Sequence, residues 1–251
     1  GFESARAVGV QRDAAGRVTG VDFVVGKEKT PHTVNCQHLI VADGVRSPLG
    51  RVLGREWHRE TAYGVAGRTY VKSGRSDDPW ISSHLELRDE NNELLPGYGW
   101  IFPLGDGEVN LGVGALATSK RPANVQLRPL MDYYAKLRRE DWDLGADLRL
   151  PTSALLPMGG AVSGVSGPNW MLIGDAAGCV NPLNGEGIDY GLETGRLAAE
   201  MLTAGGSPAD AWPELLTHHY GEAFSIARRL AGLLTVPRLL PAAGPIGMRS
   251  H

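Results

Sequence analysis

Apolar and polar positions divide the chain into a strand-rich first part and a helical end. The opening "GFESARAVGVQRDAAGRVTGVDFVV" predicts a strand, a tight turn at "DAAGR" and a second strand. Residues 63–72, 81–88, 98–104 and 108–117 follow as predicted strands of a mainly antiparallel sheet. In "LPGYGWIFPLGDGEVNLGVGAL" aromatic or apolar residues alternate with small ones. One strand ends at Pro103, another begins at Glu108, and "LGDGE" is a hairpin turn between them. Tyr98, Trp100 and Phe102 sit at i, i+2 and i+4, so they share one face of that sheet. Such a stripe is either core or the lining of a cavity.

The pattern then turns helical. Asn124 is the expected N-cap of "VQLRPLMDYYAKLRRE", with Val125, Leu127, Leu130, Met131, Tyr134 and Leu137 as its apolar stripe and Pro129 placed to bend it. "NWMLIG" is a short apolar run suited to a buried strand. From Gly187, "GIDYGLETGRLAAEML" predicts a helix stopped by Gly205, Gly206 and Pro208. Ser207 and Pro208 open a last helical region running to Pro237.

Candidate chemistry concentrates where the short strand meets the glycine-rich helix. Gly187, Gly191 and Gly195 recur every four residues and share one helix face, although each costs about 1 kcal/mol against alanine. Two readings fit: a flat ligand approaches the backbone, or the helix packs tightly on its neighbour. A helix N-terminus there presents free N–H groups and partial positive charge. Asp175 follows Gly174 at the carboxyl end of the strand, where open α/β sheets bind ligands. Its carboxylate either accepts hydrogen bonds from sugar hydroxyls or caps a turn.

"GDAAGCVNPLNGEG" resembles the second flavin fingerprint of FAD-dependent hydroxylases and reductases, and "LIVADGVRSPLGR" resembles their middle fingerprint. The two stand in the family's order. The resemblance implies that Asp43, Gly44 and Gly174 belong to the flavin region and that Asp175 is the main FAD ligand. It also implies that the loop of Pro182, Gly185, Glu186 and Gly187 lies against the isoalloxazine ring. One position departs from the pattern: the usual Arg three residues after the Ser is Gly50, with Arg51 one place later. "YGWIFP" followed by "NLGVG" resembles the signature of geranylgeranyl reductases, in which it lines the cavity for an isoprenoid chain beside the flavin. Gly178 agrees, since aromatic-ring hydroxylases usually carry His after "GDAA" and prenyl reductases carry Gly. The actinobacterial branch that reduces menaquinone side chains is the nearest likeness.

The resemblance implies an α/β fold: part of an FAD-binding Rossmann-like domain plus an antiparallel-sheet substrate domain of the p-hydroxybenzoate-hydroxylase type. The expected segments are 1–54 and 161–206 for FAD, 55–160 for substrate and 207–251 as a C-terminal helical region. The expected activity is saturation of a polyprenyl C=C bond, with Tyr98, Trp100 and Phe102 on the substrate and NAD(P)H or a reduced carrier as electron donor. The catalytic proton donor is open between Tyr98, Tyr190 and water. An FAD-dependent aromatic monooxygenase and an inactive flavoprotein fragment are the alternatives. The fragment reading has a specific ground: no strand–GxGxxG–helix unit occurs, and "GVGALA" and "GEGIDY" fail its spacing. A chain cut within the FAD domain is expected to bind FAD poorly or not at all.

Composition narrows this only slightly. With 251 residues and a net charge of −3, the chain has length for a sizeable core and no basic excess for nucleic acid. Two cysteines without a CxxC pair and seven histidines without ligand spacing argue against disulfide scaffolds and zinc; Cys179 is expected to be a buried structural thiol. The expected location is cytoplasmic, with peripheral contact at the inner face of the plasma membrane. Arg228, Arg229, Arg238 and Arg249 either rest on anionic lipid or pack with the C-terminal segment on the protein body.

Overall fold

The computed structural model describes residues 1–236. Along the chain run β1 (Ala5–Arg12), β2 (Val18–Val25), β3 (Thr30–Asn35), β4 (Leu39–Val41), α1 (Pro48–Leu53) and β5 (Glu56–Trp57). Then come β6 (Tyr63–Lys72), β7 (Ser82–His84), β8 (Gly97–Pro103), β9 (Glu108–Ala117), α2 (Leu127–Leu137), α3 (Arg139–Trp142) and β10 (Arg149–Pro157). The chain closes with β11 (Val162–Ser163), β12 (Ser166–Gly167), β13 (Trp170–Leu172), α4 (Ile188–Thr203) and α5 (Pro208–Leu234). It divides into two compact units. One joins Gly1–Arg59 to Pro157–Arg228; the other comprises Glu60–Leu156 with the residues from Arg229 onward.

In the first unit, β1, β2 and β3 form an antiparallel meander, and β13 lies between β12 and β4. The β13–β4 pairing is parallel, Trp170 opposite Leu39 and Leu172 opposite Val41. The expected "DAAGR" turn is present: Asp13 Oδ1 accepts the amides of Ala15 and Arg17, and Gly16 supplies the left-handed φ of +77°. Trp170, Met171 and Leu172 are all buried, packed with Val41, Leu197, Trp212 and Phe224. Asn169 ties these pieces together. Its side-chain amide donates to the carbonyls of Val18 and Gln37 at 2.8 and 2.7 Å, and its Oδ1 accepts the Val18 amide at 2.8 Å. The buried backbone N–H and C=O of Val18 in β2 and the Gln37 carbonyl before β4 are thereby satisfied by one residue.

In the second unit the strand order is β10-β6-β9-β8-β7. β6 and β9 keep the expected limits, and the β8–β9 turn uses Gly105 and Gly107 at φ +78° and +88°. β7 is shorter than expected: after His84 the chain leaves the sheet edge and makes its own bridge, Arg88 to Leu94. Helix α2 starts later than expected, with Gln126 rather than Asn124 as N-cap. Pro129 explains this. A start at Val125 would require an N–H from residue 129, whereas a start at Leu127 puts Pro129 in the first turn, where no intrahelical N–H bond is made. Leu130, Met131 and Tyr134 are buried against Val71, Ile101, Leu111 and Val113, while Leu137 is exposed. Among the described residues no helix is long and apolar enough to cross a membrane. Arg238 and Arg249 lie outside the described residues.

Asn169→Ala leaves three backbone partners without a bond, two of them on buried Val18. It should cost about 2–4 kcal/mol, nearly all of it from the two buried bonds at about 1–2 kcal/mol each, measured by urea denaturation. A loss below about 1 kcal/mol would show that the three bonds do not organise the unit.

Candidate functional site

β13 carries the chain to a single 3-10 turn, Gly174–Ala177, which places Asp175 just past the strand end. Gly174 adopts φ +54°, a conformation glycine accepts without strain. Its amide donates to Thr194 Oγ1 at 2.9 Å, and that hydroxyl donates to the Tyr190 carbonyl at 2.6 Å. Thr194 is fully buried in α4, so one hydroxyl fastens the strand end to the first turn of the helix.

The two readings of the glycine face apply at different positions. A Cβ on Gly187 would lie 2.6 Å from Asp175 Oδ1 and 3.3 Å from Val180 Cγ2, so this glycine makes room for the carboxylate itself. A Cβ on Gly174 would come 3.2 Å from the Gly191 Cα, which marks close approach of turn and helix. At Gly191 an added Cβ would meet nothing within 4 Å, and at Gly195 only Ile173 Cδ1 at 3.8 Å. Tight packing accounts for the first glycine, and a bare, open position remains one turn further on.

Asp175 is half-buried, and among the described residues no hydrogen-bond donor reaches its carboxylate. Burial alone holds its pKa above the ordinary carboxylate value. The neighbouring Cys179 thiol is buried, and desolvation, helped by the charge on Asp175, pushes its pKa up to about 12. That makes it an inert packing thiol. Gly187 is the N-cap of α4 and supplies no capping side chain, which leaves the first amides of the helix uncapped. The preceding loop is closed on itself. The Asn181 amide donates to the Glu186 carbonyl at 2.8 Å, and the Gly185 amide donates back to the Asn181 carbonyl at 2.9 Å. Gly185 takes φ +72°. Pro182 is buried against Gly159, whereas the Glu186 side chain is exposed.

The parallel pairing sets Asp43 and Gly44, just after β4, beside this turn at the same end of the sheet. Asp43 Oδ2 accepts the Leu49 amide at 2.8 Å, so it caps α1, a task its N-cap Ser47 leaves undone. Gly44 stands at φ +76°. Arg51 is exposed on the last turn of α1, and the buried guanidinium of the region belongs instead to Arg55. Arg55, Thr194 and Asn169 were not legible in the sequence. All three bond largely to backbone atoms, which leaves no paired side-chain pattern to find.

The aromatic stripe lies in the second unit. Gly99 and Ile101 of β8 turn to the core under α2, where a Cβ on Gly99 would come 2.4 Å from the Tyr134 ring. Tyr98, Trp100 and Phe102 take the opposite face and are half-buried, outside that core. Their rings step along the strand at centroid separations of 5.8 and 6.2 Å. Trp100 faces Gly112 across the ladder, its ring fills the space a Cβ there would need, and its Nε1 donates to Asn110 Oδ1 at 3.1 Å. Arg68 and Tyr70 of β6 extend the same face, the guanidinium 4.6 Å from the ring centroid.

No protein-family model matches the chain. Menaquinone reductases of Mycolicibacterium smegmatis and Mycobacterium tuberculosis are 66% and 64% identical to it over 247 and 246 residues, 98% of this chain. The chain spans 59% of the length of each. Digeranylgeranylglycerophospholipid reductase 1 of Methanopyrus kandleri is 28% identical over 226 residues, 87% of this chain and 58% of that protein. Among solved structures, a geranylgeranyl bacteriochlorophyll reductase-like protein of Thermoplasma acidophilum superposes with a TM-score of 0.70 at 20% identity, covering 92% of this chain and 58% of that one. That likeness concerns the fold alone, a mixed α/β fold with an antiparallel sheet. Over nearly its whole length the chain is thus homologous to part of the menaquinone reductases, with prenyl reductases as relatives at lower identity.

Proposed function

We propose that the protein containing this chain is a flavin-dependent reductase that saturates a C=C bond of a polyprenyl chain, with the menaquinone side chain as the favoured substrate. The observation that carries the cofactor half is Asp175, a recessed carboxylate at a strand end with no donor of its own, as sugar hydroxyls of FAD require. Gly187 keeps that carboxylate in place, and the uncapped amides of α4 suit an anionic or carbonyl-rich group. Asp43, Gly44, Gly174, Pro182, Gly185 and Glu186 complete the proposed cofactor set. Once reduced by NAD(P)H or another reduced carrier, a flavin bound there would supply the hydride and return to the oxidised state.

The substrate half rests on the face carrying Tyr98, Trp100 and Phe102. An isolated alkene has no carbonyl to take up electrons, so protonation accompanies or precedes hydride addition and positive charge develops on the tertiary carbon. Aromatic faces stabilise such charge by about 1–2 kcal/mol when desolvated. The stripe offers these rings without breaking the core under α2. Aromatic hydroxylation fits less well. Gly178 stands at φ +70°, and a Cβ there would lie 2.8 Å from Val162 Cγ2, so the His that hydroxylases place after "GDAA" has no room. A polyprenyl substrate also favours peripheral contact with the inner face of the plasma membrane. Arg228 contributes little to that contact, because its guanidinium is engaged by the Gly159 carbonyl.

Asp175→Ala, in the protein purified with its natural ends, should release FAD, because charge-assisted hydrogen bonds are about twice as strong as neutral ones. Flavin fluorescence titration measures this, and unchanged affinity would remove Asp175 from the site. Gly187→Leu should weaken FAD binding as well, by displacing the Asp175 carboxylate.

Trp100→Ala separates lining from core. A half-buried ring outside the core should cost only about 1–2 kcal/mol of stability, with FAD content unchanged and polyprenyl reduction largely lost. A stability loss of about 3–5 kcal/mol with normal turnover per folded molecule would make the stripe structural.

A further inference from the structure

Arg55 is 7% exposed, yet among the described residues no carboxylate forms an ion pair with it. Its bonds go to backbone carbonyls in both fingerprints. Nε donates to the Ala176 carbonyl at 2.6 Å, within "GDAA", and one Nη donates to the Val45 carbonyl at 3.4 Å, within "DGVRS". Ala176 is adjacent to Asp175, and Val45 is adjacent to Gly44. The guanidinium is thus a rigid fork between two loops whose positions define the cofactor site.

The space this side chain crosses is the space of residue 50. A Cβ on Gly50 would lie 3.0 Å from Arg55 Cδ, and the Arg55 amide donates to the Gly50 carbonyl at 2.8 Å. Where the family pattern has Arg, this chain has a bare backbone, and the later arginine folds back over it. Ser47 Oγ would be 2.2 Å from the same Cβ; it is buried without a partner, so it can rotate without losing a bond. Burial disfavours the Arg55 charge and the nearby Asp43 carboxylate only partly offsets this, so retaining a buried guanidinium without a direct ion pair has a cost. A role confined to packing would be served by an apolar side chain of similar length.

We infer that Arg55 is a positioning residue of the flavin site: it enters from beyond α1, takes the place left by Gly50 and holds the Asp43–Ser47 and Gly174–Gly178 loops in register. The inference rests on the FAD reading for its function, but the clamp itself can be observed without cofactor.

The test uses the protein with its natural ends, with Arg55→Ala, Arg55→Lys and the double variant Gly50→Arg/Arg55→Ala. In the cofactor-free protein, amide exchange across 43–47 and 174–178 should accelerate together in Arg55→Ala, by about tenfold or more, the effect of losing hydrogen bonds from a charged donor. FAD affinity should fall by a similar factor. Arg55→Lys keeps charge and stem and should fold, but it lacks the fork and should behave like Arg55→Ala. The double variant returns a guanidinium from position 50 and should recover most of both losses. Wild-type exchange and affinity in Arg55→Lys would overturn the inference. Acceleration confined to one loop, or lowered melting temperature with unaltered exchange in both, would do the same. Coupled exchange changes in Arg55→Ala, with no FAD binding by the wild-type protein, would leave the clamp standing and defeat the FAD reading instead.

Discussion

Parallel pairing of Leu39–Val41 with Trp170–Leu172 is the constraint on which the site depends. Parallel strands end at the same edge, so two glycine-containing loops about 130 residues apart in sequence emerge side by side. Neither loop makes a site alone. The pair is only three residues long and needs support: Asn169 locks the entry to β13 onto β2 and the approach to β4, while Thr194 locks its exit onto α4. Both loops of the proposed site therefore begin from fixed points although they contain little regular structure.

Asp175 and Arg55 express two electrostatic strategies in that small volume. Asp175 is recessed from water, which raises its pKa, and among the described residues no donor reaches its carboxylate, as the proposed FAD role requires. Arg55 is buried too, and desolvation lowers its pKa, but its donors go to carbonyl oxygens of the loops. One group stays available for a ligand; the other is consumed in holding backbone.

Much of this was legible in the sequence, for reasons that differ by element. Strands β6 and β9 and the β8–β9 turn carry their own instructions, alternation and glycines at left-handed positions, and were found at their limits. Asp175 and its glycines were visible because local spacing encodes a turn against a helix. The N-cap of α2 was misplaced because Pro129 governs the start more strongly than Asn124 does. Gly187 was read either as room for a ligand or as tight packing, and its nearest neighbour is the chain's own carboxylate. Arg55 and Asn169 were invisible because their partners are backbone groups brought near only by the tertiary fold. Asn169 reaches Val18 across 151 residues.

The larger part of the second unit, Glu60–Leu156, sits in the chain between the two halves of the first. During synthesis the early half, with β4 and Asp43, waits for β13 until the whole insert has left the ribosome. Its edges stay unpaired for that time, the condition under which strands associate wrongly. The insert shortens the wait once folded, because β6 near its start and β10 at its end are neighbours in one sheet. A folded insert thus acts as a short tether rather than a long free loop, and the closure entropy of joining the two halves falls accordingly.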